Sequence, residues 1–301
     1  MSPAGGAAAA PAGANLATST AAMMTGAELT PADFAAIAAI MQNEARIALS
    51  DAKTTLVQSR LAKRLRAHGL SRYRDYVALV DTDMEERAAM IVALTTNHTH
   101  FFREDHHFDH FRREVLPVLK RRAAAGHPVR IWSAGCSSGE EVYSIVMCML
   151  GTDRAAAAWL RSADVRLLAT DLSPPVVEAA RLGAYSAATV KPVPDAYRNL
   201  WMRAQGDGFV MVDEARALVT AKVLNLFERW PLRQHYDVIF CRNVMIYFDD
   251  AAKAELEQRF VEQLAPEGHL YIGHSERLIG AAASHMVGCG QTIYAKRGVR
   301  Q

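Results

Sequence analysis

The sequence predicts an α/β protein with a doubly wound, mostly parallel sheet, a small antiparallel β insert and a preceding all-α domain. From residue 128 onward, short apolar runs of strand length alternate with amphipathic helical segments, the pattern of consecutive βαβ units. The first of these strands is joined to its helix by a loop of small residues, which is typical of nucleotide-binding sheets. No strand-like run precedes residue 95, where only helical stripes occur.

The same patterns divide the chain of 301 residues into four regions. Residues 1–27 are mostly Ala, Gly, Pro, Ser and Thr, and we expect a disordered tail because they bury too little apolar surface to offset the entropy of ordering. Residues 28–94 are expected to form the helical domain, and residues 95–127 a linker and a connecting helix. Residues 128–298 are expected to form the α/β domain, with the β insert at about 185–220.

Local signals mark several element boundaries. Thr30 followed by Pro31 predicts the start of the first helix, as an N-cap with proline at the first helical position. Pro117 lies inside the connecting helix, which it should kink. The Gly206-Asp207-Gly208 run predicts a hairpin turn in the insert.

Composition limits the function classes. Hydrophobic residues make up 50% of the chain and the formal net charge is only +2, which argues against a dedicated nucleic-acid binder. The cysteines, at positions 136, 148, 241 and 289, include no CxxC pair, so no zinc or redox motif is predicted. With no bilayer-length apolar run and no charged n-region before the alanine-rich start, we expect a cytoplasmic monomer without membrane insertion.

The first strand–loop–helix unit runs from Val129 to Tyr143. Its loop residues are small, so a ligand could lie against bare backbone. Two glutamates, Glu140 and Glu141, occupy the first turn of the helix. They would repel a phosphate and suit a cationic ligand such as S-adenosylmethionine, although acids at a helix start also simply complement the helix dipole.

Polar residues follow the other predicted strands as well. Asp171 ends the second strand, Asn225 follows the third, and Arg242 with Asn243 follows the fourth. Ligands of such sheets bind at the carboxyl ends of the strands, where Asp171 could accept hydrogen bonds from ribose or merely cap the next helix. Together these residues predict a dinucleotide- or S-adenosylmethionine-type site.

Four segments carry a family resemblance: TTNHTHFFRE at 95–104, SAGCSSGEEVYS at 133–144, FCRNVMIYF at 240–248 and GHSE at 273–276. They resemble the motifs of the CheR-type chemotaxis receptor methyltransferases, and the similarity extends over residues 29–296. The resemblance implies the S-adenosylmethionine-dependent methyltransferase type of sheet. It also implies transfer of the methyl group from S-adenosyl-L-methionine, leaving S-adenosyl-L-homocysteine, to glutamate side chains on the cytoplasmic helical region of chemoreceptors.

By motif match, the resemblance also assigns site residues. Arg103 and Tyr247 would be catalytic, with Tyr247 facing the incoming carboxylate. The residues that would contact the cofactor are Asn97, Thr99, Arg103, Gly135, Glu141, Asp171, Asn225, Leu226, Arg242 and Asn243. A glutamate has a pKa of about 4.3 and is already a nucleophile at neutral pH, so the enzyme needs to supply positioning rather than a base. We assign Arg103 the orientation of that carboxylate.

A basic stripe lies on the second predicted helix. Lys53, Arg60 and Arg64 follow one another at helical spacing with almost no interleaved acid. Such a stripe is either a solvated face or a docking surface for an acidic partner, here the chemoreceptor.

The sequence leaves open two alternative functions and the question of a metal site. The chain could be a non-catalytic protein that binds S-adenosylmethionine or a receptor, or a methyltransferase for another acceptor. His106 and His110 have the i,i+4 spacing of metal ligands. No Cys or acid triad accompanies them in the sequence and methyl transfer needs no metal, so we expect no metal site.

Overall fold

The computed structural model describes residues 28–298, and the tail predicted at 1–27 lies outside this range. Contacts divide the described chain into two compact units, 28–37 with 51–90 and 38–50 with 91–298. The segment 38–50 therefore groups with the α/β part, a division that the sequence pattern does not indicate. The boundary predicted at residue 94 stays a prediction. Within residues 28–298 no helix is both long and apolar enough to cross a membrane.

The first four helices bury most of the apolar positions that the sequence pattern indicates. They are α1 (Pro31–Ala45), α2 (Thr54–Ala67), α3 (Tyr73–Thr82) and α4 (Met84–Leu94). The predicted N-cap is present, because the Asp33 amide donates to Thr30 Oγ1 at 3.2 Å. On α2 the buried residues are Val57, Leu61 and Leu65, which leaves the basic positions on the other faces.

The connecting helix is built in three pieces. They are α5 (Asp105–His110), a π-helical turn (Phe111–Val115) and α6 (Leu116–Ala124). Pro117 lies in the first turn of α6, where proline's missing N–H is tolerated. A π-helical turn, an irregularity that was not predicted, ends two residues before the proline, and the kink itself stays a prediction.

The main sheet has seven strands in the order β6-β2-β1-β7-β8-β10-β9. The pairs among β6, β2, β1, β7 and β8 are parallel, whereas β10 is antiparallel to both of its neighbours. Its strands are β1 (Val129–Ala134), β2 (Val165–Asp171), β6 (Val219–Val223), β7 (Tyr236–Cys241), β8 (Leu264–Ile272), β9 (Met286–Gly290) and β10 (Ile293–Lys296). The doubly wound, mostly parallel sheet is confirmed; strand β9 was not predicted.

Helices cover the sheet as the alternating pattern requires. Those between the strands are α7 (Glu140–Leu150), α8 (Pro174–Leu182) and α12 (Asp250–Gln263). Every residue of α7 is buried, because this helix packs in the centre of the larger unit's core. A fixed, buried α7 places the loop before it at the carboxyl edge of the sheet.

The insert is a separate sheet of three antiparallel strands in the order β3-β5-β4. The strands are β3 (Ala184–Ser186), β4 (Met202–Gln205) and β5 (Gly208–Met211), with the short helices α9 (Ala187–Val190), α10 (Asp195–Trp201) and α11 (Asp213–Arg216) around them. The hairpin predicted at Gly206–Gly208 joins β4 to β5, with Gly206 at φ +59°. Strand β6, which begins inside the predicted insert range, belongs to the main sheet instead.

Candidate functional site

A cavity of about 180 Å³ opens at the carboxyl ends of β6, β2, β1 and β7, four neighbouring parallel strands. The predicted cofactor-binding and catalytic residues all line it: Asn97, Thr99, Arg103, Gly135, Glu141, Asp171, Asn225, Leu226, Arg242, Asn243 and Tyr247. They come from segments up to 150 positions apart in the sequence, yet they surround one space. The roles assigned to them individually stay predictions.

The loop after β1 is tightly held by protein contacts. Gly135 has φ +81°, and a Cβ there would lie 2.3 Å from Val244 Cγ2. Gly139 has φ +96°, and a Cβ there would lie 2.9 Å from Ala180 Cα. Glycine is thus required by backbone conformation and by close packing, and not only by exposure of bare backbone to a ligand, which is the reason the sequence suggests.

Arg242 holds two buried carboxylates at the site. Its side chain is 2% exposed, with Nη1 3.1 Å from Glu141 Oε2 and Nη2 3.2 Å from Glu104 Oε2. Burial raises the pKa of Glu141, against the opposing effect of Arg242 and of the Ser133 hydroxyl. Burial would also raise the pKa of Glu104, but Arg242 and the hydrogen bonds from His274 and Asn243 outweigh it and lower that pKa to about 2. The guanidinium of Arg242 is therefore shared by the carboxylates of Glu104 and Glu141.

Asp171 lines the cavity and also accepts hydrogen bonds from the backbone just before α8; its contact with ribose stays a prediction. Its Oδ1 accepts from the Ser173 amide at 3.0 Å, just before α8, and its Oδ2 accepts from the Ser137 amide at 2.9 Å. Burial raises the pKa of Asp171 in spite of these backbone hydrogen bonds. Each carboxylate oxygen still has a lone pair for a ligand hydroxyl. No salt bridge to Asp171 occurs among residues 28–298.

Arg103 sits in a strained segment. Phe102 and Glu104 on either side of it have φ +54° and +60°, values that are rare for residues with a Cβ. Buried partners hold this shape, since the Phe102 amide donates to Ser144 Oγ at 2.9 Å and Arg242 donates to the Arg103 carbonyl. Such strain concentrates at functional sites when surrounding contacts fix it.

The side chain of Arg103 is turned toward the cavity rather than to an acid. Its Nη1 donates to the His98 carbonyl at 3.0 Å. No ion pair joins it to Glu104 or Glu141 within the described chain, because both of these acids pair with Arg242 instead. Tyr247 lies on the same cavity, with its hydroxyl 3.5 Å from the Thr96 carbonyl.

One wall of the cavity comes from a segment that the sequence did not associate with the site. Ala45 and Ile47 line the cavity, and Ile47 forms an isolated antiparallel bridge with Phe248. Asn225 Nδ2 donates to the Glu44 carbonyl at 2.8 Å. Only the return of residues 38–50 to the larger unit reveals this wall, because nothing in their local pattern distinguishes them from other helix-end residues.

The predicted docking stripe lies in the smaller unit and includes a residue that is already paired. Arg64 donates to both oxygens of Glu86, a carboxylate that is 3% exposed. His68 Nε2 and the Tyr76 hydroxyl approach the same carboxylate at 2.7 and 2.6 Å. Burial would raise the pKa of Glu86, but these hydrogen bonds, that of Arg64 first, lower it to about 2. Arg64 therefore stabilises the helical unit through this ion pair. A docking role for the stripe has to be tested at Lys53 and Arg60.

The comparisons with known proteins decide the family. Residues 97–293 match the model described as the SAM binding domain of CheR methyltransferase, and residues 32–95 match its all-alpha domain. The chain belongs to the CheR methyltransferase family. It is an enzyme of the methyltransferase class, and its cofactor is S-adenosylmethionine.

Relatives of this CheR-type methyltransferase match over most of their length. It is 43% identical to a probable chemotaxis protein methyltransferase of Rhizobium etli, over 85% of this chain and 96% of that protein. It is 39% identical to chemotaxis protein methyltransferase 2 of Pseudomonas aeruginosa, over 83% and 87%. It is 37% identical to the chemotaxis protein methyltransferase of Escherichia coli, over 89% and 91%.

The donor set of this CheR-type cavity fits a cationic, phosphate-free cofactor. Asp171 has no cationic partner within residues 28–298, and the guanidinium of Arg242 is divided between Glu104 and Glu141. Negative oxygens therefore face the space where an ammonium and ribose hydroxyls would bind, and Glu141 in the first turn of α7 excludes phosphate from that helix terminus. When bound, the cofactor supplies an electrophilic methyl group.

Proposed function

We propose that this enzyme esterifies glutamate side chains on the cytoplasmic helical region of a chemoreceptor, and that it acts in the cytoplasm as a monomer. The support for an acceptor carboxylate is the position of Arg103. Its guanidinium lines the cavity that contains the acids of the cofactor site, and its hydrogen bond goes to a backbone carbonyl rather than to a carboxylate. Because the guanidinium of Arg103 is not paired with a carboxylate of residues 28–298, it can bind an anionic acceptor that enters the cavity.

In the proposed reaction, a glutamate oxygen attacks the methyl carbon as the carbon–sulfur bond breaks. No proton is transferred, since the acceptor is already ionised at neutral pH. The chain's own contribution is orientation: Arg103 holds one carboxylate oxygen by a charge-assisted hydrogen bond, and the Tyr247 hydroxyl donates to the other. Asn97, Thr99 and Asn243 complete the walls around the transfer point, and Asp171, Asn225 and Leu226 hold the nucleoside.

We include the basic stripe of α2 in this proposal, as a docking surface for the acidic receptor. Because Arg64 is bonded to buried Glu86, substituting it tests folding as much as docking. The proposal is therefore tested at the other two positions of the stripe, Lys53 and Arg60. Charge reversal at these half-buried positions should weaken receptor methylation in a salt-dependent way, since salt screens charges near the surface over about 8–10 Å at physiological ionic strength.

The decisive experiment measures transfer of labelled methyl from S-adenosylmethionine to chemoreceptor-containing membranes. Wild-type protein should give base-labile label on the receptor, and Arg103→Ala should lower the rate by about 100-fold, the cost of misplacing a reactant by about 1 Å. Tyr247→Phe should cost about 5-fold, the loss of one ordinary hydrogen bond. Arg113→Ala, at an exposed arginine that does not line the cavity, is the matched control.

Calorimetry with S-adenosylmethionine separates the alternatives. Cofactor binding without any labelled receptor would contradict the proposed acceptor and favour a non-catalytic protein or another substrate. Base-stable label would contradict ester formation. Equal rates for Arg103→Ala and wild type would remove the orienting role of Arg103.

A further inference from the structure

Two histidines and a cysteine from distant parts of the sequence meet at one end of the sheet. One ring nitrogen each of His110 and His269 and the Sγ of Cys289 all lie within 4.8 Å of one another. His110 ends α5, His269 lies on β8 and Cys289 lies on β9. None of the three lines the cofactor cavity, so the cluster plays no part in the proposed methyl transfer.

Two residues of this cluster, Cys289 and His110, lie at irregularities of the backbone. The ladder between β10 and β9 pairs Ile293 with Gly290 and Tyr294 with Gly288, which leaves Cys289 between them outside the ladder pairing, with its Sγ 3.6 Å from the Ile293 carbonyl oxygen. Such a bulge redirects the side chain of the extra residue. His110 directly precedes the π-helical turn of residues 111–115, another irregularity that often accompanies functional sites.

A hydrogen bond orients one of the two histidines. His110 Nδ1 lies 2.8 Å from the hydroxyl of Tyr271, and a hydrogen bond at one ring nitrogen fixes the orientation in which the other can bind a metal. The rings of His110 and His269 are 5.8 Å apart between centroids and are tilted by 53°, so they are not stacked on each other. His110 and His269 are half-buried and Cys289 is exposed, which leaves the cluster accessible to a metal ion.

We propose that His110, His269 and Cys289 form a binding site for Zn²⁺, with the fourth coordination position open. Two imidazoles and a thiolate are ligands that Zn²⁺ accepts in tetrahedral sites, at about 2.0–2.1 Å from nitrogen and 2.3 Å from sulfur. These bond lengths place ligand atoms about 3.5 Å apart, so each atom has to move by less than about 1 Å from its present position. Binding releases the thiol proton to solvent and changes no oxidation state.

A second group, Glu104, His106 and His107, also satisfies the distance criterion, but it is a poorer candidate. Glu104 is bound to Arg242 and His274, and His107 Nε2 is 3.0 Å from the Thr292 hydroxyl. A cation there would compete with an arginine that is already in place. The experiment nevertheless distinguishes the two groups, because only one of them contains a thiol.

The test uses full-length, untagged, reduced protein freed of metal. Titration with Co²⁺ should give the visible bands of a tetrahedral ion and a thiolate-to-metal charge-transfer band in the near ultraviolet. Zn²⁺ should displace Co²⁺, and competition against a chromophoric chelator should show one Zn²⁺ per chain. Cys289→Ser and His269→Gln should each raise the dissociation constant by about 100-fold or more, since even outer-shell partners contribute about 10–100-fold.

His285→Gln, at an exposed histidine just before β9, is the matched control and should bind Zn²⁺ like wild type. Far-ultraviolet circular dichroism checks that each variant is folded. The proposal is overturned if wild type binds no Zn²⁺, if the charge-transfer band is missing, or if either ligand variant binds as well as wild type. None of these readouts depends on methyl transfer, so failure here leaves the proposed function intact.

Discussion

Replacing Arg242 by methionine tests the charge arrangement of the site. The guanidinium is 2% exposed and contacts the carboxylates of Glu104 and Glu141, so its removal leaves two buried acids without their shared cation. The fall in the pKa of Glu104 from 4.5 to about 2 corresponds to about 3 kcal/mol of native-state stabilisation at neutral pH, to which Arg242 contributes first, followed by His274 and Asn243. Breaking a buried ion pair by removing one partner costs about 3–5 kcal/mol, in agreement.

The destabilisation caused by Arg242→Met should depend on pH, because the carboxylates that Arg242 contacts are titratable. In wild type the lowered pKa of Glu104 makes a contribution that is complete above the ordinary glutamate pKa and is lost as the pH falls toward about 2. In Arg242→Met the buried Glu141 loses the cation that opposes the rise in its pKa, so that pKa rises further. The folded variant therefore takes up a proton more readily as the pH falls and becomes relatively more stable. The difference in unfolding free energy between the two proteins should therefore be largest at pH 7.5 and should shrink at pH 5.

Urea unfolding followed by tryptophan fluorescence measures this difference, because all four tryptophans, at positions 132, 159, 201 and 230, belong to the larger unit. Arg181→Met is the control, since that arginine is exposed and pairs with exposed Glu178; it should change stability by no more than about 0.5 kcal/mol. A cost below about 1 kcal/mol for Arg242→Met, or an equal cost at both pH values, would refute the reasoning.

Three further outcomes are expected. Glu86→Gln should destabilise the helical unit by about 2–3 kcal/mol at pH 7, measured by circular dichroism. This loss should vanish as the pH falls through about 2, where the native carboxylate itself protonates. Gly135→Ala should cost about 2–4 kcal/mol through its positive φ and the collision with Val244, and a second change, Val244→Ala, should restore part of it in urea unfolding. Arg60→Glu should slow methylation of receptor membranes at low salt and leave calorimetric cofactor binding unchanged; equal rates would remove the docking role.

The regular parts of this fold were predictable because their signals are local. Apolar runs bounded by small or polar residues gave β1, β2, β7 and β8, and a capping Thr30 gave the start of α1. The parallel sheet then brought Asp171, Asn225 and Arg242 to one edge by geometry alone. What connected these residues with Asn97, Arg103 and Tyr247 was the resemblance to a family, since no periodicity links them.

The features that escaped prediction depend on contacts between distant residues. Nothing in the sequence distinguishes Glu104 from other acidic residues, and its ion pair with Arg242 is visible only in the folded structure. The cysteines looked unrelated to the histidines because Cys289 is more than 170 positions from His110, yet β9 and α5 bring them together. Spacing along the chain reports local geometry, whereas ligand sets assembled across a sheet have no such signature.

The return of residues 38–50 to the cavity has a consequence for chimaeric enzymes. An exchange of N-terminal domains between relatives at the boundary between residues 95 and 97, where the two family models meet, would also exchange Ala45 and Ile47, which form part of the cavity wall. A graft intended to test the proposed docking surface on α2 would then change the cavity wall as well. A recombinant that keeps residues 38–50 with the α/β part and replaces only 51–90 leaves this wall unchanged. Receptor docking and cofactor binding can then be tested separately.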